Sequence, residues 1–246
     1  MSLPVHLVPT LAGVGAGATV TVEGDEAHHA VAVRRMRVGE PLVLTDGSGT
    51  SVTGEVASTG KRVLDVRVSD VRRVEAPSPS VVVVQALPKG ERGELAVEVL
   101  TEIGATTIVP WAASRSVAVW KGERAAKSLA KWRSTAREAA KQARRSWFPE
   151  VAELASTAEV VRLVADASLA VVLHEEAAVP LAALRVPNDG SIVVVVGPEG
   201  GLTEEEVAVF TAAGASSVRM GAEVLRTSTA GVAAVAALLS RTSRWG

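Results

Sequence analysis

The chain has 246 residues, of which 48% are hydrophobic and 22% charged, with a formal net charge of -1. This composition is typical of a folded protein with one large or two modest domains, and it excludes a disordered chain. Cysteine is absent, which excludes disulfides, thiolate zinc sites and cysteine nucleophiles and fits a reducing compartment. The sequence shows neither a signal peptide nor an apolar run of ~20 residues, so we expect a cytoplasmic protein that does not span a membrane.

Residues 1–74 carry the pattern of a small β domain. Short Val-rich runs alternate with turn signals such as Asp46-Gly47-Ser48-Gly49, which is typical of strands joined by tight loops. One helix is expected from Asp25 to Met36, with Asp25 as its N-cap. The predicted strands are Val20–Val22, Pro41–Leu44, Ser51–Val56 and Val63–Val68. We therefore expect a compact β-barrel, followed by a Pro/Ser linker at residues 75–80.

From residue 75 to residue 246 buried apolar runs alternate with helical patterns. Strands that alternate with helices predict a parallel α/β sheet with helices on both faces. The predicted strands are Val81–Ala86, Thr106–Pro110, Ala170–Leu173, Ile192–Val196 and Ser216–Met220. The predicted helices are Glu91–Ile103, Gly122–Arg145, Ala158–Ala165, Thr203–Ala213 and Thr229–Leu239.

The strand predicted at Ile192–Val196 runs into the glycine-rich sequence Gly197-Pro198-Glu199-Gly200-Gly201. Ligands of open α/β sheets bind at the carboxyl ends of strands, and glycines let a loop approach a ligand closely. Thr203 and Glu206 have the spacing of a capping box, so a helix should begin directly after the loop. Glu199 places an anion in the loop and no phosphate-binding lysine follows, which favours a neutral or cationic ligand such as a sulfonium. A plain tight turn is the alternative.

Other motifs for cofactors or metals are incomplete. No phosphate loop, dinucleotide fingerprint or nucleophile elbow has its full spacing. His28 and His29 are adjacent, so both cannot easily face one ion from a regular element. We therefore expect no metal site.

A second polar segment, Leu225-Arg226-Thr227-Ser228-Thr229, leads into the apolar helix near the C-terminus. One of its hydroxyl groups could cap that helix. A cap does not account for Arg226, because a guanidinium beside an apolar helix needs an anionic partner. That partner would be a carboxylate or a nucleic-acid phosphate.

Positive charge is concentrated between Lys121 and Arg145, where nine Lys or Arg residues stand against two Glu. A solvated helix face is the ordinary explanation of such a run, but a surplus this one-sided in a near-neutral protein favours contact with phosphates. Trp132 and Trp147 are interleaved with the charges. The cations that share a helix face are Arg137, Lys141 and Arg144 or Arg145. A further basic cluster consists of Arg34, Arg35 and Arg37.

Together these segments resemble the RsmE family, the 16S ribosomal RNA uridine N3-methyltransferases of the SPOUT class. The resemblance covers nearly the whole chain. Its most specific motifs are the glycine-rich loop at residues 197–201 and Leu225-Arg226-Thr227. The other motifs include His28-His29, Asp46-Gly47-Ser48-Gly49, Lys89-Gly90-Glu91-Arg92, Thr101-Glu102-Ile103-Gly104, Ser114-Arg115-Ser116 and His174-Glu175.

The resemblance implies an N-terminal β-barrel like a PUA domain at residues 1–74 and a knotted methyltransferase domain at residues 75–246. It implies S-adenosylmethionine as the cofactor, a homodimer, and 16S ribosomal RNA or the assembled small ribosomal subunit as substrate. The family's pattern assigns Arg226 and Glu199 to catalysis. It assigns the cofactor pocket to Leu173, Gly197, Pro198, Glu199, Gly200, Gly201, Met220, Leu225, Thr227 and Thr229. From the charge pattern together with the resemblance, we expect RNA binding at Arg34, Arg35, Arg92, Arg115, Arg137, Lys141, Gln142 and Arg145.

One departure from the family pattern lies in the site itself. The family usually has Glu two residues after the arginine of the second segment, and Ser228 stands there in this chain. If that glutamate acts as a base in relatives, its role must fall to Glu199, to solvent or to no group. Two alternatives therefore stay open: a SPOUT methyltransferase with another RNA target, and an RNA-binding assembly factor without activity.

Overall fold

The computed structural model describes residues 3–245 of the chain. These residues form two compact units. One unit runs up to Ala76 and also takes in Ala140–Phe148, and the other comprises Pro77–Ala139 and the chain from Pro149 on. The boundary between the two units lies within the Pro/Ser segment, between Ala76 and Pro77. Prolines have a fixed φ and lack a backbone N–H, so they do not continue a sheet or a helix.

The first unit is built on a five-stranded sheet with the order β1-β3-β4-β5-β2. Strand β1 pairs in parallel with β3, and the other pairs are antiparallel. Alternate side chains such as Leu42, Leu44, Val52 and Val66 are fully buried and form its core. The strands are β1 (Val5–Leu7), β2 (Thr19–Glu23), β3 (Pro41–Thr45), β4 (Thr50–Thr59) and β5 (Val63–Arg73). The predicted small β domain is confirmed; β1 was not predicted, because three residues are too few to show an alternating pattern.

The helix predicted from Asp25 to Met36 is wrong in its length and in its cap. The α-helix α1 spans Gly24–His28, and a π-helical turn at His29–Val33 follows it. Its N-cap is Glu23, without a side-chain hydrogen bond, so Asp25 lies in the first turn and pairs with Arg62 at 2.6 Å. The helix stops because Arg35 adopts a left-handed backbone conformation, with φ of 56°.

The second unit contains a seven-stranded sheet with the order β10-β12-β9-β11-β6-β7-β8. Every pair in it is parallel, which confirms the predicted class of sheet. The strands are β6 (Ser80–Ala86), β7 (Thr107–Trp111), β8 (Glu150–Val151), β9 (Leu169–Leu173), β10 (Val179–Pro180), β11 (Ser191–Val196) and β12 (Ser216–Arg219). The two-residue strands β8 and β10 were not predicted, since an element so short leaves no periodic signal.

Helices cover both faces of this sheet. One face packs against α2, α3 and α6, and the opposite face packs against α4 and α5. The helices are α2 (Arg92–Ile103), α3 (Glu123–Gln142), α4 (Thr157–Ala165), α5 (Glu204–Ala212) and α6 (Thr227–Leu239), with a 3-10 turn at Leu181–Ala183. The capping box predicted for α5 is confirmed: Thr203 Oγ1 accepts from the N–H of Glu206, and the Glu206 carboxylate accepts from the N–H of Thr203.

Helix α6 packs unusually close to the sheet. A Cβ atom at Gly231 would stand 3.3 Å from Val196 of β11 and 3.2 Å from Leu100 of α2, so glycine permits this approach. The start of α6 is therefore held over β11 and β6 rather than over β12, the strand that precedes it in the chain. Within residues 3–245, no helix combines the length and the apolar character required to cross a membrane.

Candidate functional site

Five loops follow the carboxyl ends of neighbouring strands at one edge of the parallel sheet. They follow β12, β9, β11, β6 and β7, which are adjacent in this order. The register places Val196, the last residue of β11, beside Gln85 of β6. This edge is where open α/β sheets bind ligands. It gathers the two segments that the sequence marked as a cofactor pocket.

The glycine-rich loop after β11 forms a tight turn. The N–H of Gly201 donates to the carbonyl of Pro198 at 2.9 Å, and Gly201 has a left-handed backbone with φ of 71°. Among residues 3–245, the N–H groups of Glu199 and Gly200 have no hydrogen-bond acceptor. The loop thus offers two backbone donors to a ligand.

The loops after β6 and β7 contact this turn. Glu199 Oε1 accepts from the N–H of Lys89, after β6, at 3.1 Å and lies 3.8 Å from Nη1 of Arg92. Arg115, after β7, donates through Nη1 to the carbonyls of Gly200 and Leu202. The charged groups predicted here for catalysis and RNA binding are therefore also the groups that hold the loop.

The second segment is an extended loop of seven residues, Met220 to Arg226, between β12 and α6. From β12 it must pass the ends of β9 and β11 to reach α6 above β6, a span of three strand spacings or about 14 Å. Most of it is exposed, including Val224 and Leu225. Its course carries it directly past the glycine-rich loop.

Arg226 is the N-cap residue of α6, and no side-chain hydrogen bond caps the helix. The expectation that a hydroxyl of this segment caps the helix is wrong: the helix begins at Thr227, and Thr229 Oγ1 donates to the carbonyl of Arg226. The Arg226 side chain is exposed and, within the described chain, has no ion-pair or hydrogen-bond partner. A cation held beside the free N–H groups of a helix start suits an anion or a group that becomes anionic.

The remaining residues predicted for the cofactor pocket lie at the same edge. Leu173 ends β9, opposite Val218 of β12, and Met220 directly follows β12. Both are partly buried against the core of the second unit. They provide an apolar border to the polar loops.

Gln85 is a site residue that the sequence analysis missed. Its side chain is fully buried at the end of β6, and its Nε2 donates to the carbonyls of Ala86 and Thr227. Both partners are acceptors, which fixes the orientation of the amide and leaves Oε1 buried without a donor. The one available signal was a polar residue in an otherwise apolar strand, Val81–Ala86.

The residues predicted to bind RNA differ in their exposure and in whether they already pair with carboxylates of the protein. Arg34 and Arg35 are exposed in the first unit. Lys141 is 10% exposed and pairs with Glu26 at 2.8 Å, so much of its charge is neutralised within that unit. Gln142 is exposed at the end of α3, and Arg145 is partly buried in the segment that follows. The expectation that Arg144 or Arg145 shares a helix face with Arg137 and Lys141 is wrong, because α3 ends at Gln142 and Arg144 has a left-handed backbone with φ of 53°. In the second unit, Arg137 is half exposed and lies 3.5 Å from Glu138.

The two tryptophans among these charges have structural positions. Trp132 is 3% exposed in the core of the second unit and packs edge-to-face against Trp120. Trp147 packs on Gly49, and its indole N–H donates to the carbonyl of Val74. Trp132 is thus not free to stack on a base, and Trp147 is partly buried by its contact with Gly49.

One cluster of titratable groups lies in the first unit. Burial raises the pKa of Glu26, but hydrogen bonds from His6 and Lys141 lower it more, to about 2. Burial, followed by the charge of Lys141, lowers the pKa of His29 below its usual value. Glu26 and Lys141 thus form a partly buried ion pair within the first unit, and Glu26 is also hydrogen-bonded to His6. Within residues 3–245, no three His, Asp or Glu side chains converge as metal ligands.

Comparison with known proteins defines the class to which this fold and site belong. A family model described as an RNA methyltransferase domain matches residues 75–239, and a model of an RNA methyltransferase PUA domain matches residues 22–69. The chain therefore belongs to the RNA methyltransferase family, with a PUA domain before its parallel α/β domain.

Relatives narrow the assignment. The chain is 46% identical to ribosomal RNA small subunit methyltransferase E of Mycobacterium bovis, over 93% of this chain and 89% of that protein. It is 31% identical to the protein of the same name from Bacillus subtilis, over 91% of each. The chain is thus a member of the ribosomal RNA small subunit methyltransferase E family, as the sequence motifs indicated.

Solved structures agree with this assignment. A ribosomal RNA small subunit methyltransferase E from Neisseria gonorrhoeae, bound to S-adenosyl methionine, matches with a TM-score of 0.86 and 29% identity, covering 97% of this chain and 98% of that one. A methyltransferase from Legionella pneumophila in complex with the same cofactor matches with a TM-score of 0.88 and 26% identity, covering 98% and 99%.

Proposed function

We propose that this chain transfers a methyl group from S-adenosylmethionine to N3 of a uridine in 16S ribosomal RNA. Membership in the ribosomal RNA small subunit methyltransferase E family supports the substrate class. The observation that carries the proposal is the meeting of a glycine-rich loop and an unpartnered Arg226 at one edge of the sheet.

The loops fit S-adenosylmethionine better than a phosphate ligand. The N–H groups of Glu199 and Gly200 would donate to its polar groups, while the Glu199 carboxylate would repel a phosphate and tolerate a cation. Gly197, Pro198 and Gly201 would shape the turn, and Leu173, Met220 and Leu225 would cover the apolar parts. Thr227 and Thr229, at the start of α6, complete the proposed pocket. When bound, the cofactor supplies an electrophilic methyl group.

Arg226 is the proposed catalytic residue. Uracil N3 carries a proton that must leave before or during methyl transfer, so negative charge develops on the base. A guanidinium fixed at a helix start stabilises that charge, a contribution worth about 10²- to 10³-fold in rate for one well-placed donor. Holding N3 in line with the methyl group would supply much of the rest.

Methyl transfer to N3 also requires a group that accepts the N3 proton. Glu199 is the carboxylate of the site, and its Oε1 already accepts from Lys89. Ser228, which replaces the glutamate usual in the family, is 3% exposed and cannot act as a carboxylate base. We propose that Glu199 or solvent takes the proton.

Positively charged and polar residues of both units would bind the RNA. Residues 1–74 would act as an RNA-binding domain and residues 75–246 as the catalytic domain. The proposed contacts are Arg34, Arg35, Arg92, Arg137, Lys141, Gln142 and Arg145. We also propose that the protein is a homodimer and acts in the bacterial cytoplasm. Its substrate would be either naked 16S RNA or the assembled small ribosomal subunit. The course of residues 220–226 past the ends of β9 and β11 supports a trefoil knot.

Labelled S-adenosylmethionine and two substrates, naked 16S RNA and small ribosomal subunits, test the function. We expect incorporation into one uridine, with the methyl group on N3 in mass spectra of the digested RNA. A methyl group on a ribose or on another RNA would favour the alternative target. Cofactor binding by calorimetry separates the remaining alternative, because a protein that binds RNA but not S-adenosylmethionine is an assembly factor.

The salt dependence of RNA binding tests the cations. Replacing Arg137 and Arg145 with Ala should lower the slope of log K against log salt by about 1–2, since each phosphate contact contributes about 0.7–0.9. Lys141→Ala should instead lower the stability, by about 1–3 kcal/mol, because it leaves Glu26 with a lost hydrogen bond. An unchanged slope in the double variant would show that Arg137 and Arg145 do not contact RNA phosphates.

A further inference from the structure

Three hydrogen bonds join the connection after β7 to the glycine-rich loop and to the start of α5, which follows it. The N–H of Ser114 donates to Oε1 of Glu206 at 2.7 Å. Arg115 Nη1 donates to the carbonyl oxygens of Gly200, at 3.2 Å, and Leu202, at 3.1 Å. Two consecutive residues thus contact the C-terminal end of the loop and the helix that follows it.

Glu206 does more than cap its own helix. In a capping box one carboxylate oxygen returns to the N-cap N–H, and here Oε2 accepts from Thr203 at 2.9 Å. The other oxygen of Glu206 accepts from Ser114, a residue 92 positions away. The carboxylate is 3% exposed, and two backbone N–H donors and the helix start compensate its charge. The cap of α5 therefore also fixes a neighbouring loop.

Arg115 lies against the loop as closely as a side chain allows. A Cβ atom at Gly200 would stand 3.1 Å from Cβ of Arg115 and 3.2 Å from its carbonyl oxygen. Glycine at position 200 thus permits this close approach, whereas the left-handed residue of the turn is Gly201. The guanidinium then donates to carbonyls on both sides of Gly201, whose φ of 71° is the left-handed bend of the loop.

A further contact to the loop comes from the connection after β6, where the N–H of Lys89 donates to Oε1 of Glu199. The turn is therefore fixed from two neighbouring loops while the N–H groups of Glu199 and Gly200 stay free of acceptors. A binding loop that is held in shape before its ligand arrives avoids the entropy cost of ordering it on binding.

We propose that Arg115 and Glu206 are positioning residues that fix the glycine-rich loop in the shape that accepts S-adenosylmethionine. This inference rests on the proposed function. It gives Arg115 a role different from the RNA contact expected from the sequence: its guanidinium acts on the cofactor loop and not on phosphates.

The test compares Arg115→Ala, Arg115→Lys and Glu206→Gln with the full-length wild type. We expect Arg115→Ala to weaken S-adenosylmethionine binding about 5- to 20-fold in calorimetry, with kcat at saturating cofactor changed less than 3-fold. Arg115→Lys should recover part of the affinity, because an ammonium can still donate to the carbonyls. Glu206→Gln should also weaken cofactor binding, since an amide can accept only one of the two N–H donors. Affinity for 16S RNA should stay within 2-fold for all three variants.

Two controls and a cofactor-free readout complete the test. Arg185→Ala and Glu204→Gln alter exposed residues of the same charge and should leave cofactor affinity unchanged. Hydrogen exchange without cofactor should be faster in the peptide covering residues 197–203 of Arg115→Ala and Glu206→Gln. Unchanged exchange and unchanged cofactor affinity would overturn the inference, and so would a loss of RNA affinity alone in Arg115→Ala. If the wild type binds no cofactor, the proposed function is refuted. Faster exchange in the two variants would still show that Arg115 and Glu206 hold the glycine-rich loop.

Discussion

Two loops at the same edge of the parallel sheet are built in opposite ways. The glycine-rich loop after β11 is short, closes on itself through Pro198 and Gly201, and is contacted by Lys89 and Arg115. The loop from Met220 to Arg226 is longer and mostly exposed, and it is attached to the fold at its ends, where Gln85 reaches the carbonyl of Thr227.

This difference indicates a division of tasks. A loop that is held rigidly can present backbone donors to a cofactor at low entropy cost. A loop held only at its ends can adjust to a large substrate and can still deliver one side chain from a fixed point, because Arg226 is the N-cap residue of the anchored helix α6. Rigid binding on one side and an adaptable approach on the other suit a reaction between a small molecule and an RNA.

The largest expected effect concerns Arg226. Arg226→Ala should reduce the methylation rate by about 10²- to 10³-fold, because the charge that develops on uracil loses its partner. Cofactor affinity should stay within about 2-fold and the thermal midpoint within a few degrees. Arg219→Ala, which removes an exposed arginine at the end of β12, serves as the control for charge. Near-normal turnover of Arg226→Ala would refute the assigned role.

A matched pair of glycines tests the difference in rigidity. Gly201, with φ of 71°, lies in the held loop, and Gly221, with φ of 101°, lies in the open one. Alanine in a left-handed conformation costs about 1–2 kcal/mol if the backbone cannot relax. We expect Gly201→Ala to weaken cofactor binding about 5- to 10-fold and Gly221→Ala by less than 2-fold, measured by calorimetry. Equal losses would show that the two loops do not differ in this way.

A smaller effect is expected at the anchor of the open loop. Gln85→Met removes the hydrogen bond to Thr227 while keeping the side-chain length. The orphaned Oε1 is removed as well, so stability should change by no more than about 1 kcal/mol. We expect kcat to fall several-fold, because the first turn of α6 and Arg226 lose a fixed point, with little change in cofactor affinity. A variant with normal kcat would limit Gln85 to a packing role.

The smallest effect should come from the middle of the open loop. Val224 is 74% exposed, so Val224→Ser should change the free energy of unfolding by less than about 0.5 kcal/mol. Its cofactor affinity should equal that of the wild type. A clear loss of stability would mean that this loop is packed against another surface in solution, such as a second copy of the chain.

Much of the fold could be predicted from periodicity. The strand at Ile192–Val196 and the helix at Glu91–Ile103 were within one residue of the observed elements at each end, since buried apolar runs and helical spacing are strong local signals. The helix expected at Asp25–Met36 was wrong because the π-helical turn and the left-handed Arg35 depend on packing around Ala30, not on propensity.

The site was predicted less evenly. The glycine-rich loop and the segment around Arg226 were identified because glycines after a strand and an arginine before an apolar helix are local patterns. Gln85 was missed, since its importance comes from Thr227, 142 residues away. Arg115 was recognised as part of a motif but was assigned to RNA, because a sequence does not show which carbonyl groups an arginine meets.

The sequence by itself determined the parallel α/β class, the small β domain, the family and the two loops of the site, because these follow from local pattern and from motifs in a fixed order. The tertiary structure decided how these parts act together. Strand order places the loops after β11 and β12 at one edge, and Gly231 lets α6 settle over β6. The groups that hold the glycine-rich loop belong to residues that are distant in the chain, and only folding brings those residues into contact with it.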